Sequence, residues 1–169
     1  MVFLMWVAFS LQFYLNYDLG FLGIYPLKAT GFIGIVTAPL IHGNLSHIIS
    51  NTFPLLFLGT TLYVFYPKIA SWVFASCYLL TGLLVWIFGR DFYHIGASGL
   101  IYGVAFFLIF LGLFRKDMKS LIISIFVVAI YGGMVYGLWS DDEGVSWESH
   151  SFGAAVGVAL SFVYRKQRE

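Results

Sequence analysis

Six long apolar runs, each ended by charged or helix-breaking residues, leave this chain few ways to fold. A run of roughly 17 to 25 apolar residues is what a helix needs to cross a hydrocarbon core about 30 Å thick. The runs cover 1–17, 44–65, 69–88, 98–114, 120–139 and 149–164. Only 10% of the residues are charged and mean hydropathy is +0.89, which excludes an ordinary soluble domain, where charge alone is about 25%. The reading is an all-α, polytopic membrane protein with six transmembrane helices in a single domain, 1–169. The lone Cys77 lies inside an apolar run and is read as a packing residue.

The first run has neither a basic leader nor a small-residue cleavage site, so it is expected to be a membrane helix rather than a signal peptide. Its Gln12 and Asn16 fall one turn apart, which predicts a face turned toward protein. The stretch 18–41 carries Pro26, Pro39 and several glycines among hydrophobics, and is expected to lie partly in the membrane interface. Six spans put both termini on one side. Seven of the nine basic residues (Lys68, Arg115, Lys116, Lys119, Arg165, Lys166, Arg168) fall on that side, which predicts cytoplasmic termini, in a plasma (inner) membrane.

Counting from the cytoplasmic ends gives depth. Ser98 precedes Arg115 and His150 precedes Arg165 by enough residues to stand roughly 22 to 26 Å above that interface, at 1.5 Å per residue. Asn51 reaches a similar level above Tyr66, with His47 one turn higher. Serine, imidazole and amide from three helices therefore converge at one depth, where unpaired polar groups are costly and should face one another or a wet cavity. Small residues show how the helices meet. Ser149, Gly153, Gly157 and Ser161 recur every four residues in the last run, and Gly99 and Gly103 do so in the fourth, which permits close backbone approach. Tyr102 shares a face with Ser98, so its ring is expected to rise beside the serine and pack on the imidazole.

Each polar group also has a plainer reading. Gly-x-Ser-Gly at a helix start is often only a packing patch. His47 with Asn51 can serve as an interhelical clamp, and His150, beside Glu148 and Ser149, as part of a helix cap. His94, next to Arg90 and Asp91, reads as solvated or structural, and His42 as a local hydrogen-bonding group at a helix junction.

Three motifs carry a resemblance: HGNLSHIISN at 42–51, GASGLIY at 96–102 and HSFGAAVG at 150–157. Together they resemble the rhomboid intramembrane serine proteases, and the likeness covers most of the chain. It implies a six-helix rhomboid-like bundle with Ser98 as nucleophile and His150 as general base, a dyad without an aspartate. It further implies that His47 and Asn51 help bind the oxyanion and that Tyr102 supports the base. Gly96, Gly99, Gly153 and Gly157 belong to the same motifs. One departure is visible: where rhomboids often carry a Trp-Arg pair in the first outer loop, this sequence reads Gly31, Phe32, Ile33, Gly34, Ile35, Val36, Thr37.

The chemistry follows from the residues as well. A serine hydroxyl needs an adjacent base, which a neutral His150 supplies. The Ser98 N–H with the His47 and Asn51 side chains can donate to the oxyanion that forms. Water must reach a site below the membrane surface, so a cavity open to the outer face is expected, with the acidic stretch 140–148 as a mobile lid. The expected partners are the lipid bilayer and transmembrane protein substrates, with no nucleic acid, no metal and no cofactor. The alternatives are a non-proteolytic rhomboid-like protein that binds membrane clients and a small transporter using the same polar cluster. A zinc protease is disfavoured, because His-Glu-x-x-His does not occur.

Overall fold

A computed structural model describes residues 1–139 and 144–167 of the chain. Among them every regular element is helical, apart from an isolated antiparallel bridge between Ile24 and His94. The α-helices are α1 (Val2–Leu15), α2 (Gly34–Thr37), α3 (Leu45–Phe65), α4 (Pro67–Phe88), α5 (Ser98–Arg115), α6 (Met118–Tyr131) and α7 (Trp147–Tyr164). Helices α3, α4, α5 and the stretch Met118–Trp139 are long and apolar enough to cross a membrane. The other two expected spans differ. Helix α1 has 14 residues, and α7 is diluted by Glu148, His150 and three serines.

Local chemistry explains the helix ends. The Asn44 side chain accepts a hydrogen bond from His47 N–H at 2.8 Å and caps α3. Helix α4 begins at Pro67, two residues before the sequence-based boundary, because a proline at the first position lacks only an N–H that would go unpaired there anyway. Asp117 caps α6 by accepting from Ser120 N–H at 2.9 Å. The run 120–139 was expected to be one α-helix, but it changes at Gly132 into a 3₁₀ turn, Gly132–Trp139. Three glycines there weaken the α conformation, and side chains from α5 and α7 compete for its carbonyls.

Helix α5 is the centre of the bundle. Two-thirds of its apolar window is buried (67%), against 22% to 33% for the other three long helices, so it packs on neighbours nearly all round. Its closest neighbour is α7. A side chain at Gly153 would overlap the Gly99 carbonyl, and one at Gly157 the Gly103 carbonyl, so the two backbones touch along this seam. Gly99 is less tightly confined, with Thr81 Cγ2 2.9 Å and Ser149 O 3.0 Å from where its Cβ would stand.

The stretch 18–41 folds into short 3₁₀ turns around α2. Ile35 of α2 sits over Gly82 of α4, and Tyr78 Oη donates to Val36 O at 2.5 Å. Phe32, Ile33 and Val36 point outward, an apolar edge consistent with an interfacial position. Gln12 does turn toward protein, donating to His42 O at 3.1 Å. Asn16 does not. It is exposed and ends α1 in the left-handed conformation, so the helix stops before the shared face is completed. Residues 140–143 of the expected lid, and Arg168 of the basic tail, lie outside the described residues.

Candidate active site

Ser98 is the first residue of α5 and His150 lies in the first turn of α7. The glycine seam brings those two helix starts together, and His150 Nε2 stands 2.9 Å from Ser98 Oγ. His150 Nδ1 is 2.9 Å from the Gly137 carbonyl. A carbonyl can only accept, so Nδ1 carries the proton in the neutral ring and Nε2 presents a lone pair to the serine hydroxyl. The Tyr102 ring stacks on the imidazole, with centroids 4.2 Å apart and planes 6° from parallel. Its hydroxyl donates to Met134 O at 2.7 Å.

These groups border an open cavity of about 470 Å3, lined also by His47 and Asn51 and by apolar surface from Pro54, Ile101, Tyr131 and Met134. Asn51 is buried, and its Nδ2 donates to His47 O at 2.9 Å and, at a long 3.5 Å, to Ser50 Oγ. Gly96 has φ +103°, a conformation that favours glycine, and a Cβ there would press on His47 Nε2. Glycine at this position thus makes both the turn into α5 and room for the His47 ring. No side chain caps α5, so its positive N-terminal end is open for a developing negative charge.

Several contributors escape a reading of the residues alone. The carbonyls of Met134 and Gly137 have no side-chain signature at all. His42 is fully buried, edge-on to His47 with centroids 4.8 Å apart. Burial and the neighbouring His47 push its pKa down to about 4. Its Nε2 and the Asn51 Oδ1 are both buried with no hydrogen-bond partner among the described residues. The HGNLSH spacing pointed to His42, but only as a junction residue.

His94 is not solvated. It is buried, with Nδ1 at 2.6 Å from Ser146 Oγ and Nε2 at 3.0 Å from Arg90 O, and burial holds its pKa below the usual value. The bridge to Ile24 drew it inward by closing the loop over it. Arg90 joins the same corner. It donates to Glu148 Oε1 at 2.5 Å and Oε2 at 3.0 Å, and to Val145 O at 3.1 Å, tying the chain that enters α7 to the end of α4.

Comparison with known proteins places this geometry in context. The family model described as "Rhomboid domain" matches residues 29–167. An uncharacterized protein of Mycobacterium tuberculosis is 37% identical over 150 residues, 83% of this chain and 62% of the relative. An uncharacterized Mycobacterium leprae protein is 35% identical over 83% of this chain and 59% of its own length. Rhomboid-like protein 11, chloroplastic, of Arabidopsis thaliana is 30% identical over 78% of this chain and 52% of that protein. The chain thus spans about three-fifths of the mycobacterial relatives it matches.

Proposed function

The chain belongs to the rhomboid family, and on that premise we propose that it is an intramembrane serine endopeptidase that cuts transmembrane segments of membrane proteins. The observation that carries the reading is the 2.9 Å approach of Ser98 Oγ to His150 Nε2 between two different helices. His150 Nε2 takes the hydroxyl proton as Ser98 Oγ attacks the scissile carbonyl, so the oxygen never has to exist as a free alkoxide. The negative charge moves to the carbonyl oxygen. There the Ser98 N–H, the His47 ring and the Asn51 amide serve as donors. Collapse of the tetrahedral species breaks the C–N bond, and His150 gives its proton to the departing amine. Water then repeats the sequence on the acyl-serine, returning the proton through the same nitrogen.

The integral, multi-pass character follows from the apolar helices and the family. Within this reading α1 and α7 complete six spans with α3, α4, α5 and the α6 run. Both termini are then cytoplasmic, in the plasma membrane, and the cavity opens to the outer face. That depth suits a substrate helix that enters sideways and unwinds locally, exposing the backbone that a helix otherwise hides.

Labelling with a fluorophosphonate in detergent tests the proposal. Ser98 is modified in the wild type and not in His150→Ala, and Ser98→Ala cleaves no model transmembrane substrate while melting at the wild-type temperature. Normal turnover by Ser98→Ala sinks the protease reading and leaves client binding or transport.

A further inference from the structure

Among the described residues no carboxylate bonds to the base, yet its outer nitrogen is held. Three carbonyls of one short 3₁₀ turn take side-chain donors from the two catalytic helices: Met134 O accepts from Tyr102 Oη at 2.7 Å, Gly137 O from His150 Nδ1 at 2.9 Å, and Leu138 O from Ser151 Oγ at 2.8 Å. Bonds within a 3₁₀ turn are poorly aligned, so its carbonyls keep lone pairs for other donors. Leu138 of the turn packs against Tyr102 and Ala154, while Val135, Tyr136 and Trp139 are exposed.

We propose that the turn Gly132–Trp139 is the positioning element of the general base, with the Gly137 carbonyl standing where a third catalytic residue otherwise orients the imidazole. This rests on the protease reading. While the turn is seated, the proton stays on Nδ1 and Nε2 faces Ser98 as an acceptor. When the turn shifts, Nδ1 loses its partner and the proton can move to Nε2, which then points an N–H at the serine and cannot take its proton. Reactivity is thereby tied to a segment that continues directly into residues 140–143. Position 137 must be glycine for this arrangement, since a Cβ would overlap the Tyr102 hydroxyl and come 3.3 Å from His150 Nδ1.

The test uses Gly137→Ala, Tyr102→Phe and the double variant. Gly137→Ala should lose at least about 100-fold in kcat and in fluorophosphonate labelling rate, the scale of general-base catalysis, with KM little changed. Tyr102→Phe removes the overlapping oxygen, so the double variant should return to the rate of Tyr102→Phe alone. In 15N-histidine spectra His150 should be protonated on Nδ1 in the wild type, shifted toward Nε2 in Gly137→Ala, and restored in the double variant. A Gly137→Ala protein that melts early but retains kcat per labelled site overturns the inference, as does a rate loss with an unchanged His150 spectrum. A wild type that neither labels at Ser98 nor cleaves overturns the protease reading and this one with it. Activity in the wild type with a proton on Nε2 overturns only the positioning role.

Discussion

His150 is held from two sides by different physics. On one side the α5–α7 seam sets backbone against backbone, with Gly153 and Gly157 leaving no room for a methyl group against the Gly99 and Gly103 carbonyls. On the other, the 3₁₀ turn after α6 holds the ring through carbonyl oxygens, with Leu138 packed against Tyr102 and Ala154, and among the described residues a Cβ on its Gly133 would meet nothing within 4 Å. Close packing is steep: it tolerates no displacement and so fixes where the ring stands. Hydrogen bonds to the turn can form and break at small net cost, and decide instead which nitrogen carries the proton. Place and protonation are thereby entrusted to separate regions.

The seam should give the largest effect. Gly153→Ala drives a methyl into the Gly99 carbonyl, and because backbone cannot swing aside as a side chain can, stability should fall by about 1–3 kcal/mol or more, with activity lost as the helix starts separate. Unfolding in mixed detergent measures the first, and labelling of Ser98 the second. A fully stable, fully active Gly153→Ala would show that the seam is looser than the comparison requires.

Next comes the cavity wall. If Asn51 donates to the oxyanion, Asn51→Ala should lower kcat about 10- to 100-fold with little change in KM, since three donors share a load worth about 100- to 1000-fold when carried by one. His47→Ala should deepen the loss. As a mere clamp, Asn51 would instead cost roughly 0.5–2 kcal/mol of stability with kcat per folded molecule preserved. Thermal unfolding and single-turnover cleavage on one preparation separate the two outcomes.

The smallest effect is expected where the same change is made on the loose side. Gly133→Ala meets open space, so stability should move by less than about 0.5 kcal/mol and kcat should stay within twofold. A large loss there would mean that the turn is as tightly packed as the seam, and the contrast between the two regions would fail.

The membrane class, the order of the long helices and the convergence of Ser98, His150 and Asn51 on one cavity were all legible in the residues. Length, apolarity, charge placement and small-residue spacing are local properties that need no partner to be read. The switch of the 120–139 run into a 3₁₀ turn was hidden, because apolar content sets that a segment enters the membrane, not which helical geometry its backbone takes there. His94 read as solvated or structural, and only the bridge to Ile24, which folds it inward, decided for the structural role. The Gly137 carbonyl, which decides the tautomer of His150, is invisible to any sequence pattern. Every residue has a carbonyl, and only tertiary structure determines which one meets the His150 ring.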